Sequence, residues 1–203
     1  MNNRVYDSLK RIFARLVIRL FRAEITGLEN IPESGNFMIC GNHLSMGDIF
    51  LQFCFMPGYV RFMAKQELFK IPVIGYFMKK LGAVPVKRGY GDVAAVRKMI
   101  SLCKEGETIS IYPQGHRYKG EEPKREQCKD GAALICTRAG CDILPVAFYG
   151  KGWRIKPFHK TKIIVGKPIK YEELGITEEN ARDYGRITDI IFSEILKLLA
   201  ECN

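Results

Sequence analysis

The sequence predicts an α/β fold, a mixed central sheet flanked by helices. Short apolar runs alternate with segments of helical periodicity, and turn-forming residues part them. Apolar residues make up 47% of the 203 positions, enough for one substantial core and too many for a disordered chain. The polar clusters that carry chemistry each follow a candidate strand, which is where α/β proteins gather their sites.

Residues 4–22 read as an amphipathic helix. Val5, Leu9, Ile12, Phe13, Leu16 and Leu20 recur at helical spacing, with Arg4, Arg11, Arg15, Arg19 and Arg22 along the flank. This pattern predicts a membrane-surface helix within residues 1–24, where each cation near an anionic leaflet contributes about 1 kcal/mol. The alternative is the same helix packed on the protein's own core. Arginines interrupt the apolar run and no small-residue cleavage site follows, so it does not read as a signal peptide. No stretch reaches the roughly 18–20 apolar residues that span a bilayer.

Asn30, Ile31, Pro32, Glu33, Ser34 and Gly35 form a turn-rich connection into a first strand at 36–41. Residues 48–56 read as a buried helix stopped by Pro57 and Gly58, and 59–64 as a second strand. Pro72 opens a helix over 71–81, and 83–86 form a third strand. Asp92 caps a helix over 93–103, which Lys104, Glu105 and Gly106 end; a fourth strand covers 108–112. The charged segment 119–129 reads as a mobile loop. Asp130 caps a helix through Arg138, closed by Gly140. Two more strands at 143–148 and 162–165 and a helix over 178–199 complete the chain.

The most informative feature is Asn42-His43-Leu44-Ser45-Met46-Gly47-Asp48. A histidine accepts a proton from a hydroxyl near neutral pH when a neighbour holds its ring in the right tautomer, and a carboxylate can do so. Along a regular helix five positions leave two side chains about 140° apart. His43 must therefore sit in a loop and Asp48 in the opening of the next helix. A buried histidine bonded to a carboxylate is also a common structural device.

Three further segments follow: Gly82-Ala83-Val84-Pro85-Val86-Lys87-Arg88, Tyr112-Pro113-Gln114-Gly115-His116-Arg117 and Ile143-Leu144-Pro145-Val146. In this order and at these distances the chain resembles the glycerolipid acyltransferases of the lysophosphatidic acid acyltransferase type. That family has four ordered blocks: His-x4-Asp, a Gly-x5-Arg segment, a Phe-Pro-Glu-Gly-Thr-Arg-like segment, and an apolar-Pro-apolar block. The resemblance covers roughly residues 25–170 and implies an acyltransferase domain over 25–203.

The resemblance implies His43 as general base for the free hydroxyl of a lysophospholipid, with Asp48 orienting the imidazole and balancing its charge. It implies phosphate binding by Arg88 and Arg117, whose guanidinium forks suit a dianion. The resemblance also implies that Lys65, in an Ala-Lys-x-Glu-Leu context, assists with phosphate or oxyanion. The resemblance implies that Gly115 lets the backbone approach the acceptor and that Pro145 shapes the pocket wall near the thioester. Transfer is direct, so neither Ser45 nor a cysteine is needed as nucleophile. The implied co-substrate is acyl-CoA or acyl carrier protein, and no metal or organic cofactor is expected. The implied product is phosphatidic acid, made from 1-acyl-glycerol-3-phosphate.

Two positions depart from the family pattern: Gln114 stands where Glu is usual, and His116 where Thr is usual. Gln114 still accepts a hydrogen bond through its amide oxygen. The change keeps open another acceptor, a different lysophospholipid or a lyso-aminolipid. His116 reads either as a surface residue or as a second headgroup contact.

A net charge of +10 and a pI near 9.3 invite an anionic partner. No aromatic–basic stacking platform or helix-turn-helix points to nucleic acid, so the expected partner is an anionic membrane at its cytoplasmic face, bound peripherally or monotopically. A non-catalytic protein binding anionic lipid or nucleic acid is the rival of another class. Cys40, Cys54, Cys103, Cys128, Cys136, Cys141 and Cys202 form no Cys-x-x-Cys pair, which predicts buried free thiols rather than disulfides or a zinc site. Gly89-Tyr90-Gly91-Asp92 reads as a turn and helix cap, and His159 as surface.

Overall fold

Phe37, Met38, Ile39 and Cys40 are all buried, and successive strand side chains point to opposite faces. Phe37 and Ile39 enter one core, Met38 and Cys40 another. A strand buried on both faces belongs inside a sheet covered on both sides. The computed structural model, which describes residues 3–33, 36–87, 92–177 and 182–202 (the side chains of 3–9, 11 and 12 excepted), has that architecture. Ser34, Gly35, Arg88, Gly89, Tyr90, Gly91 and residues 178–181 lie outside the described set, as do the side chains of Arg4, Val5, Leu9, Arg11 and Ile12.

The strands are β1 (Ala23–Thr26), β2 (Phe37–Gly41), β3 (Val60–Lys65), β4 (Val84–Val86), β5 (Thr108–Ile111), β6 (Asp142–Gly150) and β7 (Thr161–Val165). The helices are α1 (Asn3–Leu20), α2 (Met46–Phe55), α3 (Pro72–Lys80), α4 (Val93–Lys104), α5 (Gly131–Ala139) and α6 (Tyr184–Ala200). The sheet runs β1-β7-β6-β2-β5-β3-β4. Only β6 and β7 pair antiparallel, so the sheet is mixed, as the sequence predicts. On one face Val17, Phe21 and Leu51 pack with Ile39, Phe148 and Ile163. On the other, Met99, Ile135, Ile191 and Phe192 pack with Met38, Ile109 and Ile143.

Strand direction gathers the loops. β2, β3, β4, β5 and β6 point the same way, so the segments that follow them emerge at one edge of the sheet. Because β7 opposes β6 and β1 parallels β7, the end of α1 and the start of β1 reach that edge too.

α1 works in two directions. Ala14, Val17 and Phe21 are buried, and Phe13 meets the Phe53 ring edge-on at 6.3 Å. Lys10 Nζ donates to the Met56 and Gly58 carbonyls at 2.8 Å, where α2 ends and its last carbonyls lack helical partners. Leu16 and Leu20 stay exposed. Among the described residues no helix is long and apolar enough to cross a membrane.

Three local expectations change. β1 is a strand the apolar pattern did not announce: four residues at the sheet edge, carrying exposed Glu24 and Thr26, leave almost no apolar signal. α6 begins at Tyr184 rather than 178, with the Asp183 carboxylate accepting from Arg186 N at 3.1 Å. Asp130 precedes α5 but does not cap it; its carboxylate accepts from Thr188 Oγ1 at 2.8 Å and ties α5 to α6 instead. Asp92 and Gly140 act as expected, the one capping α4 through Ala95 N at 3.0 Å, the other closing α5 at φ 65°.

Candidate active site

Ser45 begins α2 as its N-cap, its hydroxyl accepting from Gly47 N at 2.8 Å. This cap places Asp48 in the first turn, facing back over the loop. Asp48 Oδ2 accepts from Leu44 N at 2.6 Å, Ser45 N at 2.8 Å and His43 Nδ1 at 2.8 Å. Ser45 Oγ donates to Oδ1 at 3.2 Å. Asp48 is fully buried, and a carboxylate there is tolerable only because donors surround it. The capping box that starts the helix thus also builds the His43–Asp48 pair. A carboxylate accepts only, so His43 donates through Nδ1–H, and Nε2 is left as the basic nitrogen.

His43 is held from two other sides. Its ring stacks on Tyr112, centroids 4.1 Å apart and planes 19° from parallel. Tyr112 donates its hydroxyl proton to Gln52 Oε1 at 3.0 Å, an oxygen that Ser110 Oγ shares at 3.2 Å. Burial, and secondarily the negative charge of Asp48, hold the Tyr112 phenol well above its ordinary pKa, so it stays neutral. His43 N donates to Gln114 Oε1 at 2.6 Å, and the His43 carbonyl accepts from Tyr118 N at 3.0 Å.

Gln114 is fully buried, and its Nε2 donates to Gln127 Oε1 at 2.7 Å. Gln127 also accepts from Lys124 N at 3.0 Å and donates to the Glu122 carbonyl at 3.2 Å. Lys129 N donates to the Pro113 carbonyl at 2.9 Å, and Arg125 pairs with Asp189. The segment expected to be a mobile loop is therefore fastened; its charge composition concealed Gln127, the residue that anchors it to Gln114.

A cleft of about 580 Å³ opens beside this pair. Leu44, Ser45, Met46 and Gly47 form one wall, Arg117 and Lys119 another, and Ile155, Lys156 and Pro157 a third. Arg117 reaches the cleft because Gly115, at φ 70°, turns the chain sharply after β5 in a conformation a side chain would resist. The structure thus brings together His43, Asp48, Gln114, Gly115 and Arg117. It leaves Lys65 and Pro145 apart from them. Lys65, at the end of β3, is exposed and pairs with Glu67 at 3.5 Å. Pro145 is buried within β6 opposite Cys40, against Gly166, and lines no part of the cleft. Arg88 lies outside the described residues. His116 is exposed with its ring 4.2 Å from that of Tyr118, and His159 is exposed.

The sequence reading missed Tyr112, Gln127 and Lys156. Tyr112 is the first residue of the third block and was open to inspection. Nothing local marks Gln127 or Lys156, whose roles depend on loops distant in sequence.

A protein-family profile described as Acyltransferase matches residues 22–149. The 1-acyl-sn-glycerol-3-phosphate acyltransferase of Bacillus subtilis is 33% identical over 70% of this chain and 70% of its own length. A chloroplastic 1-acyl-sn-glycerol-3-phosphate acyltransferase of Brassica napus is 28% identical over 88% of this chain and 57% of its own. The crystal structure of the 1-acyl-sn-glycerophosphate (LPA) acyltransferase of Thermotoga maritima superposes with a TM-score of 0.69 at 25% identity, covering 98% of this chain and 84% of that one.

Proposed function

This chain belongs to the acyltransferase family, and we propose that it transfers a fatty acyl group from a thioester to the sn-2 hydroxyl of 1-acyl-glycerol-3-phosphate, giving phosphatidic acid. The observation that carries the reading is the buried His43–Asp48 pair behind the Leu44–Gly47 wall of a cleft that Arg117 lines. The acceptor hydroxyl gives its proton to His43 Nε2 as its oxygen attacks the thioester carbonyl. The C–O bond forms, the C–S bond breaks, and the proton passes from the imidazolium to the departing thiolate. Asp48 stabilises the transient imidazolium through Nδ1–H. No enzyme nucleophile or cofactor enters the scheme; the donor is acyl-CoA or acyl carrier protein.

Arg117 supplies the phosphate fork, and Lys119 and Lys156 add positive charge at the same cleft. Arg88 and Lys65 are proposed as further anion contacts and Pro145 as a support for the sheet behind the site. Gln114 favours lysophosphatidate over another acceptor, since both ends of its amide are engaged inside the protein. The departure from Glu is absorbed by Gln127 rather than presented to a headgroup. Exposed Phe13, Leu16 and Leu20, with Arg15 and Arg19 beside them, support a place on the cytoplasmic face of an anionic membrane.

The test is thiol release from palmitoyl-CoA and from acyl carrier protein, with and without lysophosphatidate, for wild type and His43→Ala. Release that requires both acceptor and His43 supports the reading and identifies the donor. Release indifferent to either one refutes it.

A further inference from the structure

We propose that the connection between β6 and β7, residues 151–160, is a membrane-docking loop. In it Phe158 enters an anionic bilayer, and Lys151, Arg154, Lys156 and Lys160 lie among the lipid headgroups. The inference rests on the lipid-surface reading above and adds to it a second contact, independent of α1.

Phe158 is 74% exposed, the most exposed of the large apolar residues described. Its φ is 66°, a left-handed conformation that strains a residue bearing a Cβ. The strain is imposed, because Phe158 N donates to the Leu20 carbonyl at the end of α1 at 2.5 Å. A glycine or asparagine would occupy this position more comfortably. A bulky apolar side chain, strained and turned to solvent, gives the interior little, which points to something outside the protein.

The surroundings identify what that is. Residues 151–160 contain Lys151, Arg154, Lys156, His159 and Lys160 and no carboxylate, and all five are exposed. Lys160 pairs with Glu24 at 2.8 Å, the one ion pair of the loop among the described residues. An aromatic tip ringed by cations matches the boundary between anionic headgroups and acyl chains. Exposed Leu20 and Leu16 of α1 continue the apolar surface beside it.

Position completes the argument. β6 parallels β2, so this loop leaves the sheet at the edge that carries His43. Ile155, Lys156 and Pro157 line the cleft directly. Gly120 N donates to the Trp153 carbonyl at 3.0 Å, and a Cβ on Gly120 would sit 2.8 Å from Arg154 Nε. The Arg117 loop and the basic loop are thus packed backbone to side chain. Seating Phe158 in a bilayer sets the cleft mouth at the depth of the headgroups, where a lysophospholipid is found.

The full chain is sedimented with phosphatidylcholine vesicles, with and without phosphatidylglycerol, for wild type, Phe158→Asn and Phe158→Trp. Phe158→Asn is expected to partition about tenfold less onto the anionic vesicles. Its thermal midpoint should be unchanged or higher, because asparagine suits the left-handed backbone. Phe158→Trp should show a blue shift in emission on adding anionic vesicles that the wild type, with Trp153 alone, lacks. If wild type partitions and Phe158→Asn partitions equally, the loop is not a contact, although the membrane reading stands. If wild type does not partition at all, both fall. A lower thermal midpoint in Phe158→Asn would assign the ring a structural role. Binding of an acidic carrier protein that depends on Phe158, without vesicle binding, would replace the lipid as occupant.

Discussion

Gln114 and Gln127 are joined amide to amide, Gln114 Nε2 donating to Gln127 Oε1 at 2.7 Å while Gln114 Oε1 accepts from His43 N at 2.6 Å. The base-bearing loop and the loop over 119–129 are therefore coupled through one buried side chain. Gln114→Glu keeps the acceptor for His43 N and asks Gln127 to turn its amide, losing both the bond from Lys124 N and the one to the Glu122 carbonyl. Turnover within about thirtyfold of wild type is expected, since two net hydrogen bonds are together worth roughly 2 kcal/mol. Gln114→Ala orphans His43 N in the interior and should cost about 1–3 kcal/mol of stability by urea melting. A Gln114→Glu variant with a large change in acceptor preference would show that this position meets the substrate after all.

Asp48→Asn tests whether the carboxylate works on the ring or only on the backbone. An asparagine oxygen can still accept from Leu44 N and Ser45 N, so the fold should survive. It cannot balance an imidazolium, so kcat should fall about a hundredfold or more while the thermal midpoint moves little. Asp48→Ala should lose both, because it also strands two backbone donors. Equal loss of stability in both variants, with kcat preserved in Asp48→Asn, would make Asp48 a helix cap and nothing further.

Arg117 lines the cleft on a turn set by Gly115, so its removal should be felt in acceptor binding first. Arg117→Ala is expected to raise the KM for lysophosphatidate about tenfold or more, the worth of a charge-assisted hydrogen bond. Arg117→Lys should recover part of that, as a point charge without the fork. KM for the thioester is the internal control. A rise confined to the donor would move the phosphate contact elsewhere.

The alternation of strands and helices was legible because each central strand is buried on both faces, which leaves unbroken apolar runs such as Phe37-Met38-Ile39-Cys40. The His43–Asp48 contact was legible from spacing, since only a loop-to-helix junction lets those side chains meet. What stayed hidden depends on contacts across the chain. β1 draws its pairing from β7, more than a hundred residues later, and Asp130 bonds Thr188 instead of its own helix. Lys156 and Phe158 acquire meaning only because β6 parallels β2 and delivers their loop to the sheet edge that carries His43. No window of local sequence contains that relation.

Stability should fall in mildly alkaline solution, and the sign follows from the thiols. Burial raises Cys40 well above the ordinary value, and it pushes Cys54 up to about 11, against the pull of Lys10, and Cys128 up to about 12, against Arg125. In the unfolded chain these groups ionise near pH 8.5–9 on the usual scale, roughly. Below that range both states hold their protons and the full stability is present. Above it the unfolded chain sheds protons the folded chain keeps, so stability is lost as pH climbs toward the raised values. Tyr112 adds to the same trend from about pH 10, for the same reason. Urea midpoints taken in reductant and high salt at about pH 7.5 and about pH 9.5 should decline with an unchanged slope against denaturant. Cys54→Ala should flatten that decline, because it removes one of the groups that titrates only after unfolding. A midpoint that rises with pH would mean the thiols do not govern the alkaline limit, and one that falls equally in Cys54→Ala would remove Cys54 from it.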